Sequence, residues 1–303
     1  MLISDWFCKT LCSPPPQWDP VHSVKGVLYT LSAEIEEPFE AWIDELRKQS
    51  RIDYYDGTVK TYQLSQSRVH GTSLKVVAVT TDQEPNRITC LQVNGTEHRQ
   101  IKYQPILPDC KEFQFRNSEE LLGWKCDKFV YEEIIDRNSQ KYTMWVRYVE
   151  MPDSTRKPIP IRFEVLGWDN LIGAHYDHYH LDYNNYSSDE IPDAIYTLNT
   201  GKSCVGFPGP GVEHYAIFNP MNEFVHPVDS SHIYLEHKRF MNIHGVAYAT
   251  TDERMTRQNV FMQNLRYIHS KNREHLGFSL TVNALADRTQ DEIESIFKKN
   301  YYI

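Results

Sequence analysis

The chain has 303 residues, 40% hydrophobic and 24% charged, enough for one large domain or two smaller ones. Its 41 acids outnumber 32 bases and leave a net charge of −9 without a long basic block, so no nucleic-acid partner is expected. No run of eighteen apolar residues is present to span a membrane as a helix.

Met1 to Ser13 carries Asp5 inside its apolar stretch and no basic residue ahead of it, which does not read as a secretory signal. Nineteen tyrosines and six tryptophans in a chain of negative mean hydropathy point to half-buried strands, where a ring packs and its polar tip stays wet. After Pro14-Pro15-Pro16, the segment from Ser23 to Tyr196 reads mostly as short strands. Pro38 to Lys48 is expected as a helix interrupting them. Arg51–Tyr55 and Thr58–Leu64 flank Asp56-Gly57, which supplies the positive φ angles of a tight hairpin turn. Leu74–Thr80, Arg87–Val93, Tyr142–Val149 and Ile161–Leu166 are further strands, rich in β-branched and aromatic residues.

Cys8, Cys12, Cys90, Cys110, Cys126 and Cys204 could form three bridges; their spacing matches no zinc pattern and leaves fifteen pairings open. Asn94-Gly-Thr and Asn185-Tyr-Ser are glycosylation sequons, and with the cysteines they favour an extracellular or lysosomal route. In His175-Tyr-Asp177-His178-Tyr-His180-Leu-Asp182, strand alternation would place His178, His180 and Asp182 on one face, a donor set that could hold zinc. The competing reading is a tyrosine-rich strand whose histidines are hydrogen-bonded.

Residues 201–230, with Phe207-Pro-Gly-Pro-Gly211, have little periodicity and read as a connector. The expected fold is α+β: a β-rich domain over 14–200, an antiparallel curved sheet or sandwich, followed by a small helical module over 231–303. In that module Thr250 to Glu253 is a capping box, expected to join the Thr250 hydroxyl to the Glu253 amide and the Glu253 carboxylate to the Thr250 amide. A helix should start there, with Glu253 and Arg257 paired one turn apart, and Gly277 can stop it. Thr289 to Glu292 forms a second capping box.

Glu253, Arg257, Val260, Phe261, Asn264, Ile268 and Asn272 recur as Glu-x3-Arg-x2-Val-Phe-x2-Asn-x3-Ile-x3-Asn, which resembles the signature of cathepsin L-type propeptides at each position. Phe240 and His244 to Tyr248 resemble the first propeptide helix, and Asn283-x-Leu285-x-Asp287, after an expected strand at Phe278–Val282, resembles the second motif. Thr281 stands where that motif usually has glycine, and His237 where helix one usually has an aromatic. Pro16-x-Trp18-Asp19-Pro20, Glu37-Pro38-Phe39-x-Ala41-Trp42, Ser50 to Tyr55, Leu91 to Thr96 and Cys204 to Gly211 are similar to the N-terminal region of insect digestive and haemocyte two-chain papain-like cysteine proteases.

The resemblance implies a non-catalytic pro-region that binds, restrains or chaperones a papain-like protease domain, in cis in the relatives or in trans. It implies no cofactor. None of the six cysteines lies in the Cys-Gly-Ser-Cys-Trp nucleophile setting, so no enzyme activity is expected of this chain. A chain ending at Ile303 is expected to lack most of the cleft-filling tail and to bind better than it blocks. Two alternatives stay open: a truncated form of a cysteine endopeptidase, and a ligand-binding β-domain, its concave face holding a lipid-like molecule, with a vestigial propeptide.

Overall fold

The computed structural model describes residues 13–80, 83–135, 138–171, 173–198, 203–211, 217–225 and 231–300. Twelve strands form one sheet: β1 (Val21–Thr30), β2 (Ile35–Asp44), β3 (Gln49–Tyr54), β4 (Val59–Leu64), β5 (Thr72–Val79), β6 (Arg87–Asn94), β7 (Gln114–Leu121), β8 (Trp124–Ile135), β9 (Asn138–Glu150), β10 (Arg156–Asp169), β11 (Ala174–Ser187) and β12 (Val205–Gly206). Their spatial order is β12-β6-β5-β4-β3-β2-β1-β11-β10-β9-β8-β7, with β12 alone parallel to its neighbour. The described strands thus make a single sheet and not the two layers of a sandwich. Four helices follow: α1 (Asn222–Val225), α2 (Ser231–His244), α3 (Thr251–Glu274) and α4 (Gln290–Asn300). The protein is α+β, a large sheet with few helices.

The expected helix at Pro38–Lys48 is instead β2, a central strand paired with β1 and β3. Ile35, Glu37, Phe39, Ala41 and Ile43 are all buried, a period of two that no helix shares. Pro38 is tolerated because its ring nitrogen points toward β3 where that ladder ends: Tyr55 N–H reaches the Pro38 carbonyl at 2.9 Å, and the last full pair is Phe39 with Tyr54. The hairpin forms, but its loop has four residues, 55–58, and not two: Tyr55 (φ 47°), Asp56 (φ 54°) and Gly57 (φ 85°) are all left-handed, and the last strand pair is Tyr54 with Val59. The other four expected strands lie within or across β5, β6, β9 and β10.

Consecutive strands that are distant in the sheet force the chain across its faces. β6 and β7 lie toward opposite edges, so the intervening segment crosses the core face, burying Ile106, Leu107, Cys110 and Phe113 in the main cluster with Phe39, Phe129, Phe163 and Tyr179. Tyr183 Oη donates to Ile106 O at 3.0 Å and Trp18 Nε1 to Pro108 O at 2.8 Å, satisfying carbonyls that the crossing would otherwise leave dry. Between β11 and β12 the chain crosses the outer face. There Arg51 donates to Ile195 O at 3.0 Å, and Leu198 and Cys204 pack against the outward Tyr62, Leu74, Val76 and Cys90.

The chain then rounds the β6 edge. Cys204 is bridged to Cys90 (Cα–Cα 4.6 Å), β12 pairs with β6, and beyond residues 212–216 Phe218 is fully buried, its carbonyl accepting from Gln63 Nε2 at 2.5 Å. Met221, Phe224 and Val225 enter the core-face cluster. The described parts of 201–230 are therefore a strap bound to both faces. Cys110 and Cys126 are free and buried in clusters on opposite faces, so they cannot pair with each other; Cys8 and Cys12 lie outside the described residues. Burial pushes both free thiols above their ordinary range.

The 114-residue separation closed by the disulfide makes it a strong constraint on the unfolded chain. Cys90→Ala with Cys204→Ala is expected to lower unfolding free energy by about 3–5 kcal/mol in chemical denaturation.

Candidate functional site

α3 carries two working faces. Thr250 caps it, accepting from Glu253 N–H at 3.1 Å, while the Glu253 carboxylate accepts from Ala249 N–H at 2.9 Å, one residue earlier than the expected box. The helix ends in left-handed His275 (φ 61°) ahead of Gly277. α2 stops at His244, not Tyr248: Gly245 turns left-handed (φ 64°) and Val246 N–H closes back on Met241 O at 2.9 Å, a Schellman stop.

The first face holds the module together. Arg257 reaches not Glu253 but Glu292 at the start of α4, with one N–O distance of 2.7 Å, and the Asp287 carbonyl at 3.3 Å. Glu292 also receives the Thr289 amide at 3.0 Å, so the second capping box forms and its carboxylate is shared; hydrogen bonding from Arg257 holds Glu292 down to about 2. Asn264 donates to Ala286 O at 2.9 Å. Asn272 grips Leu280 from both sides, donating to its carbonyl at 2.9 Å and accepting its amide at 2.7 Å. That grip replaces the strand expected at Phe278–Val282, which is irregular.

Phe261 is buried against Phe240, ring centres 5.0 Å apart, and against His237 at 5.2 Å. His237 supplies the missing aromatic, stacking on Tyr248 and Phe240; its Nε2 lies 3.2 Å from Tyr248 Oη, which donates to buried Asp287 at 2.6 Å. Val260, Ile268 and Leu285 are partly buried, Asn283 is exposed and caps Leu285 N–H at 2.9 Å, and Thr281 is exposed.

The second face was not legible as a site. Gln263, Arg266, Ser270 and Arg273, spaced three and four apart, form a polar stripe that reads as solvated, yet it is laid on the core face of the sheet at the Thr30 end of β1. Arg273 forks onto fully buried Glu37 at 2.5 and 2.8 Å, and Ser270 donates to the same carboxylate at 2.7 Å while meeting Tyr55 Oη at 2.8 Å. Arg266 bridges Asp177 at 2.8 Å and Glu223 at 2.9 Å, with its guanidinium 5.2 Å from the Tyr179 ring centre and 5.0 Å from that of Phe224. Gln263 donates to Asp177 and to the Tyr176 carbonyl, both at 3.1 Å. Tyr176 is the extra residue of a bulge, where β10 pairs Gly167 with Asp177 and then Trp168 with His175, so its carbonyl leaves the ladder and is available to α3. The signal that marks this stripe in the sequence is two arginines one heptad apart on the side of α3 opposite the motif.

Electrostatics tie the clamp to pH. Burial alone would raise Glu223, but Arg266 and then His232, 2.6 Å away, hold it down to about 2. His269, beside Arg273, is depressed to about 4, by burial first and then by that cation. Its neutral form contributes stability above the unfolded value near 6.5, and that contribution is lost as pH falls toward 4.

His178, His180 and Asp182 do share a face, but Asp182 is taken by Arg162 at 2.5 and 2.8 Å, His178 lies 3.1 Å from Glu164, and His180 stacks on Tyr29 at 4.8 Å. The zinc reading is thereby corrected: the third donor is spent on an arginine from β10, and no metal-holding cluster occurs among the described residues. Asn94 and Asn185 are both exposed, Asn185 in a left-handed bulge (φ 51°) of β11. No helix of the described residues is long and apolar enough to cross a membrane.

The sequence profile of the cathepsin propeptide inhibitor domain (I29) matches residues 237–293, from the middle of α2 to the first turn of α4. Pro-cathepsin H of Medicago truncatula is 44% identical over 57 residues, 19% of this chain and 16% of that protein. The chain thus spans under a fifth of that curated relative. A crystal structure of an uncharacterized conserved protein from Thermus thermophilus covers 61% of this chain and 90% of its own at 9% identity and a TM-score of 0.35, too loose a likeness to bear on fold or function. The helical module is a cathepsin-propeptide-like segment carried on a sheet.

Removing one partner of a buried pair leaves the other unpaired, so Glu37→Gln or Arg273→Met is expected to cost about 3–5 kcal/mol, and Glu37→Leu with Arg273→Met to recover most of it, in denaturant unfolding. Unfolding free energy should fall by up to about 3 kcal/mol between pH 6.5 and pH 4, a slope that His269→Phe flattens.

Proposed function

We propose that this chain is a non-catalytic pro-region that binds and restrains a papain-like cysteine protease of the cathepsin L type, of the kind found ahead of the protease in two-chain insect enzymes. The match of residues 237–293 to a propeptide inhibitor domain carries the reading. Support comes from where the motif side chains go: Arg257, Asn264, Asn272 and Asp287 are occupied inside the module, so they shape a docking body and leave contact with a partner to exposed apolar residues such as Leu235, Ile243, Leu276 and Phe278. The stripe on α3 makes the sheet the platform on which that body is held. The free thiols of Cys110 and Cys126 are buried and raised, the reverse of what a catalytic thiolate requires.

An extracellular or lysosomal setting fits the Cys90–Cys204 bridge, the two exposed sequon asparagines and the acid-sensitive clamp. The physiological partner is a protease domain, supplied in cis or in trans.

The test is a titration of the full chain against a cathepsin L-type enzyme with a peptide substrate. Saturable inhibition near pH 6.5, at least tenfold weaker at pH 4, is expected, with Phe278→Asp weakening it while leaving unfolding stability unchanged. Absence of both inhibition and binding with every such enzyme would falsify the reading.

A further inference from the structure

The core face of the sheet, expected to hold a lipid-like molecule, is filled by Ile106, Phe113, Met221 and Phe224. The sheet instead reaches the helical module at a second place, just beyond the end of α3. There Asn86, the residue ahead of β6, accepts from His275 Nε2 at 2.9 Å. Because the amide oxygen can only accept, Nε2 carries the proton. The imidazolium keeps that proton too, so this hold persists in acid where the clamp weakens. Asn86 is itself fixed. It takes a left-handed conformation (φ 53°) that asparagine tolerates, its N–H donates to Thr80 Oγ1 at 3.2 Å, and its Oδ1 accepts back from that hydroxyl at 3.4 Å.

A little further along, the chain is held again, where Asn272 closes on both backbone groups of Leu280. Between these anchors Leu276 is 48% exposed and Phe278 57% exposed. Gly277 separates them at φ 83°, and a side chain on it would meet nothing within 4 Å, so the loop stands clear of the body. Two large apolar side chains are thus held out into water on a short loop pinned at both ends. Such a loop has given up its conformational freedom before a partner arrives, and a partner that takes up Leu276 and Phe278 need not supply that ordering itself.

We infer that Asn86 is a positioning residue for protease binding. Through His275 it fixes the loop that presents Leu276 and Phe278, so the sheet raises affinity for the enzyme without touching it. The inference rests on the function proposed above and adds a role for the sheet: it sets the shape of the contact loop as well as the seat of α3.

Inhibition of a cathepsin L-type enzyme by the full chain, followed with a peptide substrate, tests this. Asn86→Gly keeps the left-handed backbone and removes the acceptor, and is expected to weaken inhibition about three- to tenfold, the worth of one neutral hydrogen bond. Asn86→Asp keeps the acceptor and should stay within about twofold of the unaltered chain. In a Phe278→Ala background the effect of Asn86→Gly should shrink to under about twofold, because the contact it positions is gone. In the free chain, backbone ¹⁵N order parameters over residues 276–279 should fall from about 0.85 to below about 0.6 on Asn86→Gly. Unchanged inhibition by Asn86→Gly, an equal loss in the Phe278→Ala background, or order parameters that stay high overturns the positioning role. An unaltered chain that binds no such enzyme removes the proposed function and this inference with it, an outcome distinct from all three.

Discussion

A carboxylate with no exposure to water has to be matched at once by charge and by hydrogen bonds, and Glu37 meets that demand through Arg273 and Ser270 of a helix more than 230 residues away in sequence. The pair sets the register between halves of the molecule. Shifting β2 by one residue would turn Glu37 outward and Pro38 inward, and rotating α3 by one residue would swing Arg273 off the carboxylate and Arg266 off Asp177. Sheet and helical module therefore constrain each other, and the strap with Phe224 and Glu223 fills the wedge between them.

What the sequence disclosed follows from how local each signal is. The Asp56-Gly57 turn, the Thr250 cap and the Glu253 to Asn272 pattern depend on neighbours within a few residues. β2 was hidden because Glu37 interrupts an otherwise apolar alternation, and a proline followed by mixed polar residues reads as a helix start; the strand becomes visible only once Glu37 has a partner indoors. The clamp stripe was hidden for the same reason, since Arg266 and Arg273 look solvated until Asp177, Glu223 and Glu37 are brought to them. On β11 the alternation of His178, His180 and Asp182 was correct, while the neighbour that decides their role, Arg162, lies one strand over and outside the reach of spacing.

The two faces of α3 divide labour. One is spent on hydrogen bonds that shape the module, through Arg257, Asn264 and Asn272, and the other on buried ion pairs that seat it, through Arg266 and Arg273. The second couples the module's position to the protonation of His269 and Glu223, and with it to the acidity of the surroundings.

The bridge between Cys90 and Cys204 has a further consequence for how the molecule comes apart. A backbone nick anywhere between those two residues leaves both pieces covalently joined, so the sheet withstands clipping there without shedding material. A nick between Cys204 and α2 is different: past that point only side-chain contacts keep the helices in place. Fragmentation is thus silent on one stretch of chain and separable on the next, and acid, by weakening those contacts, sets when the second kind of cut becomes a release.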